Sequence, residues 1–455
     1  MFLKKYKIIF SLAIPVILSQ GMQTVLVLMD RYILSFKDPL LTAVVTSSWF
    51  TALSLSSFFI AFISFSTAFI GRSFGQQDQK SCYRILTQCF MFSLVFSPII
   101  CLLALWGGAY FKVMQHPEVF YNLENDYFRI IMLGYIPLLF KTSIESYLLG
   151  IGKSRVIFTA SLIGFFLNIG LCYLFVLGTP SYAFTGATGA AVATVTSNCV
   201  ALIFLLAATS WKIQIKSCFN HLRTLATQSF YAGLEKFSTS FFFVLFMNMF
   251  VIYGSETSTA VSIVFTWDQV AFLPLIAIHR SLLSLYSRFV GKNQIFAADR
   301  IIHSTLRATL ILMAVFSILF LSFSENLIQF FLHGKKTGLD ALQIQNMGQT
   351  LFQTTACYIF VVACIFIYKA ALRSLGFSYW CFKYSFFIHI LFTVVSYVSI
   401  YIVKVSPYLV WAYFMGMLSL LGLTFILKFY LDPSIRTLRK TQVEVSPKQP
   451  NQLKS

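Results

Sequence analysis

Residues 85–109, ILTQCFMFSLVFSPIICLLALWGGA, hold no charged side chain, and the run is closed by Arg84 on one side and Lys112 on the other. As a helix, such a stretch is roughly 35 Å long, enough to cross the ~30 Å hydrocarbon core of a bilayer. A helix on the surface of a water-soluble protein would show one polar face; this one is apolar all round. Eleven further runs have the same character, which gives predicted spans at 8–34, 40–70, 85–109, 127–150, 155–178, 187–210, 229–253, 258–287, 303–332, 348–372, 377–403 and 407–430. The sequence therefore predicts an all-α membrane protein with 12 transmembrane helices.

Composition agrees. Hydrophobic residues make up 58% of the 455 and charged residues 11%, while the formal net charge is +19. In a soluble chain that excess would suggest nucleic acid. Between spanning helices it records topology instead, because Lys and Arg collect in cytoplasmic loops. Seventeen of them fall on the side of the loops that follow even-numbered spans and seven on the other, so both termini are expected in the cytoplasm. The N-terminal run passes through Pro15, Gln20 and Gln23 to Asp30 without a small-residue cleavage site, and reads as a retained first span. The nine cysteines form no CxxC pair or Cys/His cluster, so no metal site or cofactor is expected.

The chain repeats itself. Gly71-Arg-Ser-Phe-Gly-Gln-Gln-Asp78, leaving the second span, matches Ser287-Arg-Phe-Val-Gly-Lys-Asn-Gln294, leaving the eighth, at an offset of 216 residues. Leu149-Gly-Ile-Gly152 matches Arg373-Ser-Leu-Gly376 at an offset of 224. The prediction is two six-helix bundles in the same orientation, related by a pseudo-twofold axis along the membrane normal, which is a transporter arrangement. The expected division is an N-terminal lobe over 1–210, a cytoplasmic linker over 211–228, a C-terminal lobe over 229–431 and a disordered tail over 432–455.

Polar side chains inside spans cost free energy in lipid and tend to face a cavity. Asp30 leads. It shares a helix face with Gln23, seven residues earlier, and Gln20 lies about 60° round the helix. A carboxylate lining a partly dry cavity can exchange a proton or bind Na⁺. The other reading places Asp30 at the outer interface, about 33 Å along the helix from Ile8, where a charge is cheap. Asn168 and Cys172 share a face one turn apart; a lone Asn there is more often an interhelical hydrogen-bonder than a cation ligand. Lys141 and Glu145, at i and i+4, read as a pair that neutralises itself within one helix. Asp268 lies deeper than its charged neighbours His279 and Arg280 and is the second candidate carboxylate. HExxH and GxxxxGK[ST] are missing and the histidines in loops are isolated, which argues against an enzyme.

Several stretches in order resemble the multidrug and toxic compound extrusion family: Pro15-Val-Ile-Leu-Ser-Gln20 running to Asp30, Arg72 to Asp78, Leu149 to Arg155, Leu167-Asn-Ile-Gly-Leu171, Gly186-Ala-Thr-Gly-Ala-Ala-Val-Ala-Thr194 and Ala371-Leu-Arg-Ser-Leu-Gly376. The resemblance covers residues 8–430. It implies a two-lobed antiporter that exports organic cations or other amphipathic compounds by alternating access, in exchange for H⁺ or Na⁺. The expected setting is the plasma membrane (an inner membrane in a bacterium), as a monomer working on small molecules within the bilayer. It also implies ion-coupling roles for Asp30, Asn168 and Thr194, with Gln20, Gln23, Cys172 and Asp268 as cavity candidates. Cys172 departs from the family's usual Asp or Asn, and Phe243 stands where one branch carries Glu. Na⁺ wants several hard oxygens and a proton needs one carboxylate, so H⁺ is favoured. The alternative within transport is a flippase for lipid-linked saccharide. That substrate's pyrophosphate calls for a cationic cavity, which few internal charges here could supply.

Overall fold

The computed structural model describes residues 2–37, 39–113, 118–177, 186–210, 222–332 and 339–445. Among these, every predicted span is helical. The helices are α1 (Phe2–Lys37), α2 (Pro39–Ser64), α3 (Ser66–Gly75), α4 (Gln79–Val113), α5 (Glu118–Ile151), α6 (Ser154–Leu177), α7 (Ala187–Ala208), α8 (Leu222–Met249), α9 (Ser255–Gly291), α10 (Ile295–Leu332), α11 (Leu339–Ser374), α12 (Ser378–Tyr397), α13 (Pro407–Leu431) and α14 (Pro433–Val445). The second predicted span is α2 and α3, joined through Phe65, whose amide still bonds the Ala61 carbonyl at 3.1 Å. Ten described stretches are long and apolar enough to cross a membrane. The first and seventh predicted spans are helical, as α1 and α8, without being among those ten; α8 carries Thr224, Gln228, Glu235 and Lys236 along its first half.

Two differences from the sequence reading have simple causes. Helices outlast their apolar runs, as where α11 begins at Leu339 rather than at 348, because hydrophobicity marks the thickness of the bilayer and hydrogen bonding continues past it. The tail expected to be disordered from 432 forms α14 over Pro433–Val445, with Ile435 fully buried and Arg439 Nε bonding Asp299 Oδ2 at 2.8 Å. Two anchoring contacts within one short amphipathic segment were not visible as periodicity. Residues 446–455 and most of the predicted linker, 211–221, lie outside the described residues, and α8 already begins at Leu222.

The chain divides into two compact units, Phe10–Phe237 and Ser238–Ser455 together with Met1–Ile9. Within the first, α5 is the central helix and packs on α2, α3, α4 and α7. Within the second, α11 is central and packs on α9, α10 and α13, the repeat equivalents of those partners. The helix on the rim of each unit, α4 or α10, turns large apolar side chains outward, Leu94, Leu102 and Trp106 in one and Ile311 and Ile318 in the other. In lipid such exposure is favourable. Several buried hydroxyls are satisfied without water by bonding back to the preceding turn, as Ser56 does to Ala52 O (2.7 Å) and Ser93 to Cys89 O (2.9 Å).

The repeat is reproduced bond by bond. In the first loop the amides of Gln76, Gln77 and Asp78 bond the carbonyls of Arg72, Phe74 and Ser73; at the same offset of 216, those of Lys292, Asn293 and Gln294 bond Arg288, Val290 and Phe289. Gln77 (φ 62°) and Asn293 (φ 54°) both take the left-handed conformation that closes this turn. At the offset of 224, the amides of Gly152 and Lys153 bond Leu149 and Leu148, as those of Gly376 and Phe377 bond Arg373 and Leu372. Gly152 (φ 84°) and Gly376 (φ 95°) are left-handed too, a conformation that costs glycine least.

Candidate functional site

Close approach of α6 and α7 builds the site in the first unit. Gly189, in the Gly186–Thr194 stretch, faces the Phe175 carbonyl so closely that a Cβ there would sit 2.9 Å from its oxygen. Small residues along α7 (Ala190, Ala191 and Ala193, all buried) let the two backbones touch. One turn further along α7, Thr194 then comes within reach of Asn168 on α6. Asn168 Nδ2 donates to Thr194 Oγ1 at 3.1 Å and points at Ser197 Oγ at 3.5 Å.

Thr194 Oγ1 lies 3.3 Å from Asp30 Oδ2 and can donate to it, or alternatively to the Ala190 carbonyl at 3.1 Å. Asp30 is 8% exposed and Asn168 0%, so both are inside the unit rather than at its surface. A side chain buried this far faces protein rather than water or lipid. The Cys172 thiol hydrogen-bonds the same carboxylate, and the buried Tyr127 of α5 lies near enough to feel its charge. Two oxygens are left over: Asp30 Oδ1 and Asn168 Oδ1 are buried with no hydrogen-bond partner among the described residues. Orphaned buried oxygens on a carboxylate and an amide side by side suit a bound proton or a small cation.

Beside this cluster lies a cavity of about 20 Å³, bordered by Gln23, Lys141, Ser161, Thr194, Ser197 and Asn198. Lys141 of α5 is 3% exposed. Its ammonium donates to Asn198 Oδ1 at 2.9 Å, and Glu145 Oε1 is 3.8 Å away. Asn198 in turn bonds the Thr194 carbonyl at 3.0 Å, which ties the lysine to the turn of α7 that carries Thr194.

The structure thus brings together Asp30, Asn168, Thr194 and Cys172, with Gln23 on the adjoining cavity. Gln20 is half-buried and makes none of these contacts. Asp268 is in the other unit. There Tyr358 donates its hydroxyl hydrogen to Asp268 Oδ2, and Asp268 Oδ1 has no partner among the described residues. Phe265, Trp411 and Phe414 form an aromatic cluster that Tyr358 joins, edge-on to Phe414 at 5.8 Å. Phe243 packs edge-on against Phe265 at 4.7 Å, an apolar contact where one branch of the resembling family has an acid.

Sequence reasoning missed Tyr127, Ser197 and Asn198, and gave Lys141 only its in-helix partner. Tyr127 opens the predicted span 127–150, and nothing local ties it to Asp30. For Ser197 and Asn198 a signal existed: they lie three and four residues after Thr194 and so share its face.

Buried polar clusters inside two repeated bundles of apolar helices define a multi-pass helical membrane transporter. The MatE family model matches residues 15–174 and 232–398, most of the chain, and the protein belongs to that family. Solved structures agree in fold. MATE in the bent conformation superposes with a TM-score of 0.85 at 16% identity, covering 96% of this chain and 97% of that one. A MOP superfamily transporter from Pyrococcus furiosus, described by the reversed polarity of its binding pocket, scores 0.84, and the outward-facing conformation of a multidrug resistance MATE family transporter scores 0.83, both at 16% identity and the same coverage. No curated protein matches the chain. The family is one of transporters rather than enzymes, handling small molecules in a lipid bilayer.

Proposed function

We propose that this protein is a secondary antiporter that exports organic cations and other amphipathic compounds in exchange for H⁺ by alternating access. One observation carries the reading: Asp30 is buried in the first unit, and one of its oxygens has no hydrogen-bond partner among the described residues. Its neighbours are a hydroxyl, an amide and a thiol. Na⁺ wants several hard oxygens, and Cys172 occupies a position where a second carboxylate would have supplied them. A proton needs only the carboxylate. Protonation would remove the charge from the cluster and change its fit to Thr194 and Cys172, a local difference able to bias two conformations. Both termini are placed in the cytoplasm on the Lys/Arg distribution, with the protein working as a monomer in the plasma membrane.

The test is transport in proteoliposomes loaded with a lipophilic cationic dye. An imposed pH gradient should drive efflux and an imposed Na⁺ gradient of equal size should not. Efflux driven by Na⁺ alone would reassign the ion. No movement of any cation across a broad panel, with the protein confirmed in the membrane, would favour the lipid-linked saccharide instead.

A further inference from the structure

Lys141 is the unusual residue of the first unit. A lysine in a membrane span is expensive and is seldom left inside a bundle without a task. Its ammonium carries three donor hydrogens. One goes to Asn198 Oδ1, and Glu145, at 3.8 Å, is beyond hydrogen-bonding distance. The remaining donors belong to a side chain 3% exposed that borders a cavity. Gln23, Ser161 and Ser197 add further polar groups to that wall, and the absent side chain of Gly164 leaves the space open.

We propose that this cavity is an acceptor site for one anionic group, a carboxylate or sulfonate, on an otherwise apolar substrate, with Lys141 as its principal contact. The proposal rests on the transport reading and specifies, among its amphipathic substrates, a class that bears such a group, zwitterions included. A cavity of about 20 Å³ has room for roughly one water-sized atom group, so it takes one oxygen of an anionic head and excludes a pyrophosphate. Lysine suits this role as a compact point charge on a flexible stem. Glu145 offsets the charge when the site is empty. Asn198 links an occupant of the cavity to Thr194, and so to the Asp30 cluster, through the 3.0 Å bond to the Thr194 carbonyl.

Binding tests this apart from transport. Full-length protein in nanodiscs of neutral lipid is titrated with two probes that share one fluorophore, dansylglycine (anionic) and dansylcadaverine (cationic). The readout is the ratio of their affinities. Lys141→Gln should shift that ratio about tenfold toward the cation, the size of one lost charge-assisted hydrogen bond, while Lys141→Arg shifts it less than about threefold. Gly164→Ala is the second variant. Its methyl would meet Ala201 Cβ and the Ser197 carbonyl at 3.5 Å, ordinary contact, so it adds bulk at the cavity's border without disturbing the fold. It too should weaken dansylglycine selectively. An unchanged ratio in both variants would mean that the cavity holds only water and the lysine only joins α5 to α7, and the proposal falls. Equal weakening of both probes overturns it as well. Repeating the titrations in discs containing phosphatidylglycerol separates two sources of the anion. If the Lys141→Gln shift is erased there, the site is occupied by a lipid headgroup; if it persists, by a free amphiphile; either result keeps the anion site.

Discussion

Asp30 and Asp268 are both buried carboxylates, each reached by one hydroxyl, Thr194 or Tyr358, and each with a second oxygen that has no partner among the described residues. Their surroundings differ. Asp30 sits among Asn168, Cys172 and Thr194, next to a cavity edged with polar side chains. Asp268 is fully buried and bonded by Tyr358, which abuts Phe414 of a ring cluster that also holds Phe265, Trp411 and Phe243. The scaffold was duplicated with its turns intact, but the two interiors have parted: one gathers polar side chains around its acid, the other sets its acid beside packed rings. A buried acid is therefore not by itself evidence of a working site. Its neighbours decide.

The comparison breaks most sharply at the two acids. Asp30→Asn keeps shape and hydrogen bonding while fixing a neutral side chain, so gradient-driven efflux should fall to background with substrate binding retained. Asp268→Asn should leave efflux within a few-fold and its pH dependence unmoved, since a fully buried group set beside packed rings is a poor proton exchanger. If Asp30→Asn transports at the parent rate and Asp268→Asn does not, the roles of the halves are reversed. Next in size is Tyr358→Phe. It strips the donor from a buried carboxylate and should cost about 1–3 kcal/mol of stability, read as a lowered unfolding midpoint; an unchanged midpoint would show that Asp268 finds another donor.

Two smaller effects sharpen the contrast. Cys172→Asp adds hard oxygen to the Asp30 cluster and should introduce Na⁺ stimulation of efflux, roughly two- to tenfold. In the second unit, Asp432 joins α13 to α14 and lies beyond the spans. Partial burial pushes its pKa up, but the Lys428 ammonium, the Ser434 hydroxyl and the Ile435 amide outweigh that and hold it at about 2. A depressed carboxylate stabilises the fold above its unfolded pKa near 3.8, and that contribution is lost as pH falls through about 2. The protection of the Ser434 and Ile435 amides, relative to their intrinsic exchange rates, should accordingly fall between about pH 4 and 2, with α14 loosening while the spans hold.

The spans and the repeat were legible in the sequence because bilayer thickness and turn chemistry act on neighbouring residues. Asp30 and Asn168 stood out as polar side chains inside spans, and Thr194 was legible only by resemblance. Nothing local says that residues 30, 168 and 194 meet, and the approach that joins two of them depends on Gly189 touching the Phe175 carbonyl. Lys141 was read only in part for the same reason: its pair with Glu145 is visible at i+4, whereas Asn198 is 57 positions away. The short tail helix was missed because its anchors, Asp299 above all, lie far back in the chain.

The matched turns at Gln77 and Asn293 have a consequence for ancestry. Their bonds run from amide to carbonyl and ask nothing of the side chains, so the letters were free to drift while the bend was kept. Of the eight paired positions in 71–78 and 287–294 only two are the same, Arg72 with Arg288 and Gly75 with Gly291, yet all three hydrogen bonds recur. The memory of the duplication is stored in the backbone. Distant kin of this chain are therefore best aligned from turn to turn, with the apolar spans, where one greasy residue replaces another at little cost, left to fall into place between them.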